Sequence, residues 1–298
     1  MLKIASELKL KLFTSSILGI LDTLNTFNFI TLMLNYPNIN PTIVTLGPIR
    51  MHWYGVMYIL GIMASYFLVK YQIRKKGLDI DINLDNLFLF LIIGLIIGAR
   101  LGYVIFYNLP FYLSHPVKLF YVWEGGMSFH GGLIGIVFSS LIYLRKHRVN
   151  FLEFADLIIV TAPIGLGLGR LGNFINAELY GRATNLPWGM IFPSGGDIPR
   201  HPSQLYQFFL EGILLFLILW WIKDRPFKKG TIFCLFLFLY SIFRFFVEFF
   251  REPDPHLGLI FSFMTMGQIL SVLMGIGGLV LFYFVRVQQP ASGPASSP

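Results

Sequence analysis

Long apolar runs alternate with short polar segments along this chain, and the runs show none of the two-residue alternation of half-buried strands. Seven of them, over 53–71, 87–107, 130–145, 153–172, 204–222, 231–250 and 266–285, approach the about 20 residues that a bilayer-spanning helix needs. Continuous Leu/Ile/Phe runs closed by basic clusters predict helices, whereas a membrane barrel needs alternating strands. The expected fold class is an all-α integral membrane protein, a single bundle of seven transmembrane helices with interfacial segments on its outer face.

Composition sharpens the picture. Hydrophobic residues make up 55% of the chain and charged residues 13%, against roughly 25% charged in soluble domains. The formal net charge of +8 does not point to nucleic acid, because the basic residues follow the membrane instead of forming one patch. Lys70, Arg74, Lys75 and Lys76 close the first run, Arg145, Lys146 and Arg148 the third, and Lys223, Arg225, Lys228 and Lys229 the fifth. The positive-inside bias then places the start of the first span outside and the C-terminus in the cytoplasm. The single cysteine, Cys234, excludes an internal disulfide and reads as an inert small hydrophobe inside a span.

Residues 1–32 break the pattern, because LFTSSILGILDTLNTFNFITLML is interrupted by Asp22, Asn25 and Asn28 and lacks a small-residue cleavage site. They read as an N-terminal extension to a functional unit at 33–286, which is followed by a disordered tail at 287–298. Two outer segments, 108–129 and 173–203, are too long for simple turns. They carry Trp, Tyr, Pro and Gly, including Trp123 and Trp188, and suit segments lying at headgroup level.

Polar residues inside the apolar runs carry the functional signal. Arg100, Arg170 and Arg244 each interrupt a run, and an arginine at mid-membrane costs roughly 2.5–3.5 kcal/mol on insertion scales. Each needs a partner, either a structural Asp or Glu or an anion bound by all three. Counting about 1.5 Å per residue from Lys229 puts Arg244 about 22 Å into a core about 30 Å thick. Arg100 reaches a similar level and Arg170 lies near the outer end of its span, while Tyr54 and His130 open the first and third spans from the other direction. The convergence predicts a polar pocket in the outer leaflet.

Spacing adds detail. Arg244, Glu248 and Arg251 recur at i, i+4 and i+7, so Glu248 can bridge both guanidiniums. In GLGLGRLGNFINAELYGR, Arg170 and Asn173 share a face, Glu178 can reach Arg182, and the glycines permit close helix packing. His130, between glycine pairs at a helix start, can donate, accept or take a proton near neutral pH. The histidines are scattered without ligand partners at helical spacing, so neither a metal nor another cofactor is expected. Guanidinium binds phosphate bidentately and acyl chains can stay in the bilayer, which makes a phospholipid the natural anion. No GxSxG, HExxH or P-loop motif supplies a nucleophile, so the nucleophile arrives with a second substrate. The alternative is an outer-leaflet phospholipid or anion transporter, or a lipid-binding protein; it would alternate access or need no His/Tyr/Arg convergence.

The blocks that hold these residues resemble the phosphatidylglycerol–prolipoprotein diacylglyceryl transferase family. They are HWYG at 52–55, GARLGYVIFY at 98–107, GGMSFHGGLIG at 125–135, GLGRLGNFINAELYGR at 167–182, RHPSQLYQ at 200–207, FRFFVEFFREPD at 243–254 and TMGQILS at 265–271. The likeness runs in order from about residue 33 to 286, and departs in the extension 1–32 and the short outer segment PSGGDIPR at 193–200. It implies seven membrane helices in a bacterial cytoplasmic (inner) membrane, with the active site toward the outer leaflet. The implied reaction passes the diacylglyceryl group of phosphatidylglycerol to the lipobox cysteine thiol of a prolipoprotein signal peptide, forming a thioether and releasing glycerol 1-phosphate. The resemblance implies catalytic roles for Arg170 and Arg244 on the phosphate. It implies a part for His130 or Tyr54 in deprotonating a thiol whose free pKa is about 8.5. Asn173 and Arg100 are further candidates for phosphatidylglycerol contact, and Glu178, Gly181, Glu248 and Arg251 for supporting positions.

Overall fold

Side-chain caps and special backbone residues mark where the apolar runs begin and end. The structure, a computed structural model, describes residues 34–46, 49–78, 82–253, 260 and 263–288, so the expectations for 1–32 and for nearly all of the tail fall outside the described residues. Helix α1, Trp53–Lys76, ends where Gly77 turns left-handed at φ 57°. Asn83 caps α2, Leu84–Tyr107, by accepting from the Asn86 N–H. A short α3, Leu109–Ser114, and two 3-10 turns follow before α4, Phe129–Lys146, which Ser128 caps through the Gly131 N–H. Asn150 accepts from the Leu152 and Glu153 N–H groups at the start of α5, Phe151–Ile159. Helix α6 is Ala162–Ile175, α7 is Ser203–Ile222, α8 is Thr231–Val247 and α9 is Met266–Gln288. The start of α8 is capped from another helix, Asp156 of α5 accepting from the Gly230 and Phe233 N–H groups at 2.7 and 2.8 Å.

All seven predicted runs fall on helices, but the helices are not equal. Four described helices are long and apolar enough to cross a bilayer, Trp53–Lys76, Leu84–Tyr107, Ser203–Ile222 and Met266–Val287, or five if the bent pair Phe151–Ile159 and Ala162–Ile175 is one span. The run expected to be one helix over 153–172 is therefore broken, with a 45° bend between α5 and α6. Pro163 in the first turn of α6 offers no N–H to a preceding turn. Thr161 satisfies the break, donating to the Ile158 carbonyl at 2.7 Å and sharing a hydrogen bond with Ser65 of α1 at 2.6 Å.

Two small strand pairs were not foreseen from the apolar runs. β1, Leu34–Asn35, pairs in parallel with β4, Met190–Ile191, and β2, Thr42–Leu46, pairs antiparallel with β3, Ile49–His52. Strands of two to five residues carry too few alternating positions to register as a pattern.

Packing joins the helices in pairs, α2 with α4, α1 with α6, and α8 with α9, while α6 also packs on the middle of α7. Small residues set the closest approaches: a Cβ on Gly102 of α2 would lie 2.7 Å from the Gly131 Cα of α4. One apolar core gathers Leu87, Leu91, Tyr143, Leu144, Phe154 and Leu157, and a second gathers Val160, Leu215, Leu219, Ile232 and Phe236. Large apolar side chains such as Phe106, Phe138 and Leu273 stay exposed on the helix surfaces, as lipid-facing positions do.

Candidate active site

Seven residues of α7, Phe208–Leu214, form a π-turn, a helix irregularity often found where a side chain is re-aimed for function. It brings Gly212 against Gly167 of α6, so closely that a Cβ on Gly167 would lie 2.9 Å from the Gly212 Cα. The approach seats Glu211, wholly buried, between α6 and α8. Arg170 Nε lies 3.7 Å from Glu211 Oε2, and Arg244 Nη1 lies 3.9 Å from Glu211 Oε1. Both are ion pairs too long to be hydrogen bonds, and neither Glu211 oxygen has a hydrogen-bond partner among the described residues. Tyr240, one turn before Arg244, interacts with Arg170 and Glu211.

Glu248 holds Arg244 from the other side. Its carboxylate pairs with Arg244, accepts from Arg251 Nη1 at 3.1 Å and accepts from Thr265 Oγ1 at 2.8 Å. Thr265 and Gln268 cap the start of α9 reciprocally, the Thr265 N–H donating to Gln268 Oε1 and the Gln268 N–H to Thr265 Oγ1. Gly267 gives Glu248 its space, since a Cβ there would lie 2.6 Å from Glu248 Oε1. The predicted Glu248 bridge is present, and its anchorage on α9 is the addition. Charge alternates through Arg170, Glu211, Arg244, Glu248 and Arg251, so each guanidinium has a carboxylate beside it and faces its like only across one.

The turn after α6 is built around Glu178. Ala177 and Leu179 adopt left-handed φ of 54° and 57°, an uncommon conformation for residues with a Cβ. Glu178 Oε1 accepts from Asn173 Nδ2 at 2.8 Å and Asn176 Nδ2 at 3.2 Å, while the Glu178 carbonyl accepts from buried Gln204. The expected Glu178–Arg182 pair is not what forms: Arg182 Nε donates to the Arg251 carbonyl at 3.0 Å, because the backbone of 181–182 is paired with 201 and 250. Gly181 makes that pairing possible, since a Cβ would collide with the Phe250 carbonyl and lie 2.6 Å from His201 Cβ. Through it the segment after α6 grips the end of α8, where Arg251 stands. Trp188 Nε1 and His201 Nδ1 both hydrogen-bond the Tyr206 hydroxyl, tying 173–203 to α7, and burial holds the His201 pKa below its ordinary value.

Tyr54 lies against α6, its ring next to Gly172, with its hydroxyl 3.0 Å from that of Tyr58 and Arg170 and Glu178 in electrostatic reach. The structure thus gathers Arg170, Arg244, Asn173, Glu178, Gly181, Glu248, Arg251 and Tyr54 on α1, α6, α8 and their adjoining turns. His130 stands in the first turn of α4, whose main packing partner is α2, with its side chain exposed.

Arg100 is placed differently from the expectation that it joins a phosphate. Nε donates to the Leu119 carbonyl, Nη1 to those of Gly125 and Gly126, and Nη2 to those of Lys118 and Tyr121. A guanidinium has five N–H donors, so these five carbonyls leave none for a phosphate. Positive φ at Gly125 and Gly126 turns the segment so that their carbonyls face the guanidinium, and the Tyr112 ring stacks at 5.0 Å.

Sequence reasoning missed Glu211 and Thr265. Glu211 interrupts the run QFFLEGILLFLILWW just as the arginines interrupt theirs, so the burial argument applied to acidic residues finds it. Thr265 carries no comparable signal. Among the described residues no group of three His, Cys, Asp or Glu side chains is disposed to hold a metal.

Several apolar helices around a buried arginine–carboxylate cluster define a class, the multi-pass membrane proteins with a charged cluster inside the bundle. The sequence profile of the family described as prolipoprotein diacylglyceryl transferase matches residues 41–284. A phosphatidylglycerol–prolipoprotein diacylglyceryl transferase of Desulfotalea psychrophila is 51% identical over 260 residues, covering 85% of this chain and 95% of the relative. Proteins of the same name from Geobacter sulfurreducens and Bordetella avium are 51% and 50% identical, covering 85% and 84% of this chain and 97% and 96% of theirs. The chain belongs to the prolipoprotein diacylglyceryl transferase family.

Proposed function

We propose that this protein transfers the diacylglyceryl group of phosphatidylglycerol to the thiol of a lipobox cysteine in a prolipoprotein. The cysteine sulfur attacks the glycerol carbon that carries the phosphate; a C–S bond forms, the C–O bond breaks, and glycerol 1-phosphate leaves with the bonding pair. The observation that carries the reading is the pair of guanidiniums, Arg170 and Arg244, brought from two helices to one buried centre inside the bundle. There they bind the phosphate and stabilise the charge that grows on the leaving oxygen. His130 or Tyr54 takes the thiol proton, since arginine is effectively never a base. Asn173, Glu178, Gly181, Glu248 and Arg251 keep the arginines in place, and Arg100 holds the 118–126 segment rather than the lipid.

The proposed setting is a bacterial inner membrane crossed seven times, the bent α5–α6 pair being one crossing, with the cluster at the outer leaflet and the C-terminus in the cytoplasm. Basic residues at the opposite ends of the helices support that orientation. The catalytic unit is 33–286. Deleting 1–32 should leave membrane insertion, thermal stability and transfer unchanged, and a large drop in any of them would show that the extension packs on the bundle.

The deciding experiment incubates the purified protein with phosphatidylglycerol and a lipobox peptide. The peptide should gain the diacylglyceryl mass while glycerol 1-phosphate accumulates in equal amount. Phosphatidylglycerol moved between leaflets with no modified peptide would instead identify a transporter.

A further inference from the structure

Glu211 differs from every other carboxylate of the cluster. Glu248 has a hydroxyl and two guanidiniums in contact, and Glu178 has two amide donors. Glu211 is as deeply buried as Glu248, yet both of its oxygens lack a hydrogen bond among the described residues, and the ion pairs given to it there are long, at 3.7 and 3.9 Å. A buried carboxylate without hydrogen bonds is costly to keep. Its two partners come from different helices, Arg170 from α6 and Arg244 from α8, and they lie at nearly equal distance. Without the negative charge between them the two guanidiniums would repel one another in a low-dielectric interior. The length of both contacts means that Glu211 attracts the pair without taking up any of its N–H donors. The π-turn and the Gly167–Gly212 approach aim it there.

We infer that Glu211 is a positioning residue of the transfer reaction, gathering Arg170 and Arg244 into one phosphate clamp. The inference rests on the phosphate role proposed above for those two arginines.

The test compares the full-length protein with E211Q, E211D, R170K and the double variant E211Q/R170K, in micelles containing phosphatidylglycerol and a lipobox peptide. E211Q keeps the volume and removes the charge, and kcat per folded molecule should fall about 10²-fold, the loss typical of a displacement near 1 Å. The fall should be the same at every pH, because Glu211 takes no proton in the reaction, and E211D should recover part of it. Added to R170K, E211Q should cost little more, since the clamp is already broken. Unchanged kcat in E211Q, a loss that disappears as pH rises, or full additivity in the double variant would overturn the inference. Full activity of R170K alone would overturn the phosphate role instead, so the two failures are read separately. Where E211Q does not fold, the kcat and pH profile of E211D decide, wild-type kcat sinking the inference.

Discussion

Arg100 and the Arg170–Arg244 pair meet the same problem, a cation inside an apolar bundle, with opposite chemistry. Arg100 is surrounded by neutral backbone carbonyls, one for each N–H, so its hydrogen bonding is complete, and a tyrosine ring stacks on it. Arg170 faces Glu211, Arg244 faces both Glu211 and Glu248, and the link between the two guanidiniums through Glu211 is electrostatic rather than hydrogen-bonded. A saturated arginine organises the chain around it; an arginine held chiefly by opposite charge is the kind the proposed phosphate role uses. Burial and charge sign do not tell these apart. The nature of the acceptors does.

The largest expected effect tests the reactive side of this contrast. Lys at 170 or 244 keeps the charge but loses the bidentate fork where charge develops, so turnover should fall by about 10²-fold or more with the fold intact. Near-normal turnover in both variants, measured against folded protein, would end the phosphate assignment. His130, on a helix that packs mainly on α2, comes next. If it is the base, His130→Gln should lower single-turnover transfer about 10²-fold near neutral pH and recover in part as rising pH supplies thiolate. A loss independent of pH would make it an orienting group, and preserved activity per folded molecule with reduced thermal stability a structural one.

Arg100→Lys leaves at least two of five carbonyls without a donor. Stability should fall by about 1–3 kcal/mol per orphaned group while turnover per folded molecule holds. Collapse of turnover at unchanged stability would place Arg100 with the phosphate and break the comparison. Gly126→Ala is the mildest probe. Its φ of 75° and the 3.0 Å between an added Cβ and Arg100 Nη1 should loosen the 118–126 segment. Hydrogen exchange there should rise, with the exchange of α6 and α8 unaffected.

The continuous apolar runs and the basic closures were enough to place helices over all seven runs, because a bilayer leaves a spanning backbone few other ways to satisfy its own polar groups. Intrahelical spacing was equally legible: Glu248 bridges Arg244 and Arg251 as i, i+3 and i+4 geometry requires. What failed was a local pairing that partners far apart in sequence overrule. Glu178 was assigned to Arg182, four residues on, but the backbone pairing of 181–182 with 201 and 250 carries Arg182 to the Arg251 carbonyl.

Three arginines in apolar runs, the need of each for a partner, and the blocks of one family are all legible in the sequence alone. Which partner each one has depends on the packing of the helices. Arg100 and Arg170 present the same local signal, a guanidinium in a Leu/Ile/Gly-rich helix, and the cost of burial is the same whichever acceptor relieves it. The acceptors come from residues 18 to 26 positions away for Arg100, whereas the carboxylate between Arg170 and Arg244 comes from a π-turn on a separate helix. No local pattern encodes that choice, because it depends on how glycine contacts and a bend at Thr161 set the helices against one another.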